Sequence, residues 1–123
     1  MSGAIGVDLI EVGRVAEVLA RHGDRFLSRV FTERERAYCR RRPPELAARF
    51  AAKEAVAKSL GTGIGAVEWR EIEVVRAPSG APSLELHGRA LELAERLGLG
   101  RPLLSLAHTH EHAIAFVVWP GRR

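Results

Sequence analysis

The chain has 123 residues, 46% hydrophobic and 28% charged, with a formal net charge of +4. That length suits one domain, residues 1–123, able to bury something over 60% of its unfolded surface without a metal or disulfide scaffold. The single cysteine, Cys39, excludes an internal disulfide. No apolar run approaches the roughly 18 residues of a membrane span, and no segment has the layout of a secretory signal. The expectation is a cytoplasmic chain with no membrane partner. Its 19 basic residues comprise two lysines, Lys53 and Lys58, and seventeen arginines. Nine of those arginines, from Arg14 to Arg42, fall in the first third, which suits an acidic partner such as nucleic acid, phosphate or an acidic protein.

In chain order, AIGVDLI reads as a mostly buried strand, with Asp8 as its one charge. From Glu11 to about Arg21, Val12, Val15, Val18 and Leu19 recur at helical spacing, and His22-Gly23-Asp24 ends the pattern. Thr32 and Glu35 have the spacing of a capping box, predicting a helix from Glu33 to about Arg41. Pro43-Pro44 then opens an alanine-rich helix that runs to Leu60 and is stopped by Gly61. GTGIG follows as a loop. Glu71–Arg76 and Ser83–Leu86 flank PSGAP as a hairpin, Arg89–Leu97 is a helix ended by Gly98, and LLSLAH and AIAFVVW are strands joined by THEH. Separate helices with hairpin-type strands favour an α+β fold, a long helix on a small, mainly antiparallel sheet.

At about 100° per residue, Glu45, Arg49 and Lys53 share one stripe of the long helix, predicted to face solvent. Glu54 and Lys58 lie on the far side, among otherwise apolar positions. They are either a simple i,i+4 ion pair or part of a site. A carboxylate inside an apolar strand is costly unless paired or bound to a cation. Asp8 and Glu54 are therefore candidate oxygen ligands for Mg²⁺, with Lys58 a point charge for a phosphate oxygen.

Other signals are weaker. His108, His110 and His112 alternate, and three imidazoles on one strand face would suit zinc. They span the junction of two strands, so the turn is expected to break the alternation, leaving His108 at a strand end as the best candidate for ligand contact. GTGIG lacks the Gly-Lys-Ser/Thr of a P-loop and follows its helix instead of preceding one. No serine has a nucleophile-elbow pattern and Cys39 has no evident base, which leaves covalent catalysis without support.

Three segments, IGVDLIEVGR, RFAAKEAVAKSLGTGIG and LSLAHTHEHAIAFVV, together resemble the holo-[acyl-carrier-protein] synthases, small 4′-phosphopantetheinyl transferases. The likeness spans almost the whole chain. It implies Mg²⁺-dependent transfer of phosphopantetheine from coenzyme A to a serine of apo acyl carrier protein, releasing adenosine 3′,5′-bisphosphate. Asp8 and Glu54 match the family's metal positions, and Lys58 matches the lysine along the phosphates. Ser105 and His108 match strand-end positions near coenzyme A, and Gly61, a helix stop first, offers a backbone able to approach that ligand. Ala107 departs from the serine or threonine common in relatives, removing a hydroxyl contact. The resemblance also implies a trimer with active sites between subunits, and a carrier docked on the first helical region. Arg14, Arg21, Arg25 and Arg29 would meet the acidic carrier there, with Phe26 as apolar anchor.

Phosphoryl transfer depends on positioning and charge neutralisation, which a metal, two carboxylates and a lysine can supply. Glu54 or a metal-bound water would take the serine proton. Lys53 is assigned a structural or carrier-facing role, so that loss of Lys58, not of Lys53, is expected to stop turnover. The competing reading is a non-catalytic basic module that binds nucleic acid, but its arginines are not interleaved with aromatic residues.

Overall fold

The computed structural model describes residues 3–121. β1 (Ala4–Glu11) leads into α1 (Val12–His22), α2 (Asp24–Val30), α3 (Glu33–Cys39) and α4 (Pro43–Ser59). A single 3-10 turn, Trp69–Glu71, precedes β2 (Ile72–Arg76) and β3 (Pro82–Leu86); α5 (Gly88–Arg96), β4 (Leu103–His108) and β5 (His112–Trp119) complete the order. β1, β5 and β4 form one antiparallel sheet in that spatial order, and β2 and β3 form a separate antiparallel pair. The architecture is the expected α+β, with α4 packed on β1 and β5.

Local chemistry explains most boundaries. Thr32 Oγ1 accepts from the Glu35 backbone N–H while the Glu35 carboxylate accepts from that of Thr32, the reciprocal pair that starts α3. Proline opens α4, where its missing N–H has no partner to lose. Past its end Gly61 takes φ 79°, a left-handed conformation natural to glycine. The sequence pattern assigns no element to the segment around Phe26. It folds as α2 because Leu27 and Val30 are one turn apart and both buried, a pattern too short to register as a helical period.

Sheet alternation divides the apolar residues in two. Gly6, Ala113, Ala115, Val117 and Trp119 point toward α4 and are buried, and Leu104 and Leu106 pack beside them. Ile5, Val7, Leu9, Leu103, Ile114, Phe116 and Val118 line the opposite face, and all are exposed.

The stripe predicted to face solvent on α4 is turned inward. Arg49 is 5% exposed and Lys53 0%, with Glu45 half-buried. The wheel gives the angle between stripes but not which one faces water. Here α4 runs through the middle of the chain, with the sheet on one side and α3 and β2 on the other. Lys53 is accommodated because Glu35, equally buried, lies 2.8 Å away. Fully buried, Lys53 does not face solvent, where a carrier would dock.

The approach of α4 to β1 is set at Gly6. A Cβ there would collide with the Ala55 carbonyl oxygen and lie 3.1 Å from Ser59 Cβ. Gly6→Ala must therefore push helix and strand apart. The expected result is a loss of about 1–3 kcal/mol of stability in chemical denaturation, together with weakening of the Asp8–Lys58 contact described next.

Candidate active site

Asp8 lies two residues beyond Gly6 and so faces α4 as well. Glu54 and Lys58 sit one helical turn apart on the side of α4 that meets it. Lys58 Nζ donates to Asp8 Oδ1 at 2.7 Å, and is also 3.4 Å from the Val7 carbonyl oxygen. The Asp8 side chain is 15% exposed and that of Lys58 55%, so the lysine reaches the carboxylate from solvent. Burial pushes the Glu54 carboxyl above the usual carboxylate range, the Asp8 charge adds to the rise, and Lys58 partly offsets it. The hydrogen bond to Asp8 holds the Lys58 ammonium above its ordinary value. The three sequence-predicted residues thus form one electrostatic unit: two carboxylates repelling each other and one cation at their edge.

Asp8 and Glu54 open into a cleft of about 320 Å³ whose walls come from β1, α1, α2 and α4: Leu9, Ile10, Arg14, Val15, Val18, Phe26 and Phe50. Phe50 was not singled out from the sequence, although its position one turn before Glu54 places it on the same side of α4. Val18 and Phe26 also line an adjoining cleft of about 500 Å³ with His22, Arg25, Ser28 and Arg29. Arg14, Arg21, Arg25 and Arg29 are all exposed, and Phe26 is half-buried, its ring edge-on to Phe31 at 5.6 Å. A basic surface with an aromatic at its centre therefore adjoins the carboxylate pair.

Ser105, His108 and Gly61 are placed differently. Ser105 pairs with Phe116 on the sheet face turned away from α4, whereas Asp8 points toward α4. His108 is exposed at the end of β4, and Gly61 is exposed just past α4. Among the described residues no side-chain hydrogen bond joins any of them to Asp8, Glu54 or Lys58; Gly61 meets Lys58 only through its backbone N–H, which donates to the Lys58 carbonyl at 3.0 Å. The turn between β4 and β5 separates His108 from His112, as expected, and the three histidines do not bring their ring nitrogens together.

The described residues hold one set of three close metal-ligand atoms, from Glu73, Glu85 and His87 on the β2–β3 pair. Glu73 and Glu85 face each other directly across the strands, a repulsive arrangement that Arg34 neutralises with contacts of 2.8 and 2.9 Å. An arginine already fills that place. Cys39 is fully buried, and burial pushes its thiol up to about 11, which suits packing rather than nucleophilic chemistry.

One further recess was not legible in the sequence. Arg34, Tyr38, Arg49 and Arg76 line it with Val74 and Val75, enclosing about 200 Å³. The Arg49 guanidinium lies over the Tyr38 ring at 4.2 Å, and its buried Nε has no hydrogen-bond partner. A buried N–H without an acceptor is costly, and an anion entering the recess would supply one.

A model of the 4′-phosphopantetheinyl transferase superfamily matches residues 4–117. The chain is 50% identical over 113 residues to the holo-[acyl-carrier-protein] synthase of Moorella thermoacetica, covering 89% of this chain and 88% of that protein. It is 49% identical over 123 residues to that of Herpetosiphon aurantiacus, covering 94% and 97%. The crystal structure of the Helicobacter pylori holo-[acyl-carrier-protein] synthase in complex with coenzyme A superposes with a TM-score of 0.85 at 29% identity, covering 94% of this chain and 98% of that one.

The electrostatic coupling is open to direct measurement. In a carboxyl-carbon NMR titration Glu54 should titrate above an ordinary glutamate, lower in Asp8→Asn and higher still in Lys58→Ala. A Glu54 titration that ignores both substitutions would show the three groups to be independent.

Proposed function

The chain belongs to the 4′-phosphopantetheinyl transferase superfamily and transfers phosphopantetheine from coenzyme A to apo acyl carrier protein; we propose that Asp8, Glu54 and Lys58 carry out that transfer in the cytoplasm, with Mg²⁺, at a site completed by neighbouring copies. The observation that carries this reading is the paired carboxylates of β1 and α4, with Lys58 at their edge, opening onto the arginine-bearing surface of α1 and α2. The family match displaces the non-catalytic nucleic-acid-binding alternative.

The residues fit the metal. Mg²⁺ is commonly bound through one or two carboxylates together with water and substrate phosphates, and Asp8 and Glu54 supply such a pair. Burial first, and the nearby Asp8 charge second, raise the Glu54 pKa, and a divalent cation would offset both by favouring the ionised carboxylates. When bound, Mg²⁺ neutralises charge on the pyrophosphate of coenzyme A. Lys58, held at Asp8 and by a longer contact to the Val7 carbonyl, and more than half exposed, is free to turn its ammonium to a phosphate oxygen. As the carrier serine oxygen bonds to phosphorus, the bond to the departing adenosine 3′,5′-bisphosphate breaks. The serine proton has an acceptor in the carboxylate of Glu54. With two oxygens, the Glu54 carboxylate would serve both to hold the metal and to accept the proton.

The Arg14, Arg21, Arg25 and Arg29 surface, centred on Phe26, suits an acidic carrier, delivering its serine at the mouth of the cleft. The exposed apolar face of β1, β4 and β5 supports a homotrimer, since monomeric proteins seldom leave so continuous an apolar surface uncovered. Burying that face against neighbours would place Ser105, which lies on it, at a seam between copies. The Arg49 recess suits the third phosphate of coenzyme A, the one on its ribose.

Incubation with coenzyme A, Mg²⁺ and apo carrier should add one phosphopantetheine mass. The gain should vanish with a chelator and fall by about 10²-fold or more in Glu54→Gln. Dephospho-coenzyme A, which lacks the ribose phosphate, should be the poorer donor. A folded protein that modifies no carrier would overturn the reading.

A further inference from the structure

Lys53 is the one lysine the transfer mechanism leaves unused, and it is completely buried. An ammonium has three N–H donors, and here each has an acceptor: Glu35 Oε1 at 2.8 Å, the Trp69 carbonyl at 3.0 Å and the Ile72 carbonyl at 2.5 Å. Glu35 is equally committed. Its Oε1 also accepts from the Thr32 backbone at 2.9 Å, and its Oε2 accepts from the Val74 backbone at 2.8 Å. One ion pair therefore joins α3, α4, the turn at Trp69 and the start of β2.

Stability alone does not account for such a pair. Well-packed apolar residues of similar volume often serve a core as well or better, because two charges must be stripped of water. Directional bonds supply what apolar packing lacks, a fixed rotation of the helix about its own axis. Glu54 is the next residue along α4, and Lys58 lies a little over one turn further. The Trp69 and Ile72 carbonyls also mark the far end of the segment that leaves α4 at Leu60 and contains GTGIG. Thr62 and Gly63 are bonded back to the Ala57 carbonyl at 3.4 and 3.2 Å, so that segment is attached to α4 at its start and, through Lys53, at its end.

We propose that the buried Lys53–Glu35 pair is a positioning pair for phosphopantetheine transfer: it sets the rotation of α4 that presents Glu54 and Lys58 to Asp8, and it anchors the far end of the glycine-rich segment. The inference rests on the transferase reading and reverses the expectation that turnover does not need Lys53. Neither residue touches substrate. Their effect passes through Glu54, Lys58 and the segment from Gly61 to Gly65.

Lys53→Met combined with Glu35→Gln removes both charges at nearly constant volume. In the folded variant, kcat should fall and the half-saturating Mg²⁺ concentration should rise, each on the order of tenfold or more, because small misplacements of reacting groups are costly. KM for the carrier should stay within about twofold, since the arginines of α1 and α2 are untouched. Amide hydrogen exchange at Thr62 and Gly63 should accelerate. A purely structural role would lower the active fraction without moving the Mg²⁺ dependence. Unchanged Mg²⁺ dependence and exchange in a folded variant would overturn the proposal.

If the variant does not fold, native-state exchange on the wild-type chain gives the answer. The Thr62 and Gly63 amides should open together with that of Val74, which is bonded to Glu35, and independent opening at lower free energy would overturn the proposal. A wild-type protein inactive on every carrier would sink the transferase reading instead, with the exchange result still standing by itself.

Discussion

The structure depends on how closely one helix lies against one strand. At Gly6 the backbone of β1 meets the Ala55 carbonyl of α4 with no room for a methyl group. The alanines at 51, 52 and 55, all fully buried, keep α4 slim where it crosses the sheet. Two residues beyond Gly6 on the same strand face is Asp8, and on either side of Ala55 along the helix are Glu54 and, a turn later, Lys58. The carboxylate pair is a consequence of this contact. A bulkier residue at the crossing would hold the elements apart and leave Asp8 without its lysine. The other end of the same interface is pinned by the Trp119 indole N–H, which donates to Ser59 Oγ at 2.6 Å.

The two lysines illustrate opposite uses of one side chain on one helix. Lys53 has lost all contact with water, and burial lowers its pKa while the Glu35 carboxylate resists that change. Lys58 stays largely in solvent and reaches Asp8 with its tip. A buried, fully bonded ammonium fixes geometry, whereas an exposed one can exchange partners when an anion arrives. The first is suited to architecture and the second to chemistry.

Much of this was legible in the sequence. The Thr32–Glu35 spacing marked the start of α3, the prolines and Gly61 bounded α4, and the apolar runs gave the strands to within a residue or two. Asp8 and Glu54 stood out because carboxylates in apolar patterns need an explanation. The inward turn of Lys53 was not legible. Angular position on a helix is a local property, but which stripe meets the core depends on Glu35, eighteen residues earlier, and on carbonyls from another element. Helix α2 escaped because seven residues give too few turns to establish a period. The Arg49 recess escaped because Tyr38 and Arg76 join it only through tertiary packing.

In the proposed reading Asp8 and Glu54 jointly hold a divalent cation beside coenzyme A. Mn²⁺, a spectroscopically visible substitute for Mg²⁺, tests it most directly by electron paramagnetic resonance titration in the presence of coenzyme A. The account predicts one tight site per chain, weakened about tenfold to a hundredfold by either Asp8→Asn or Glu54→Gln, as expected when one of two anionic ligands loses its charge. Equal Mn²⁺ affinity in the wild type and both folded variants would contradict it.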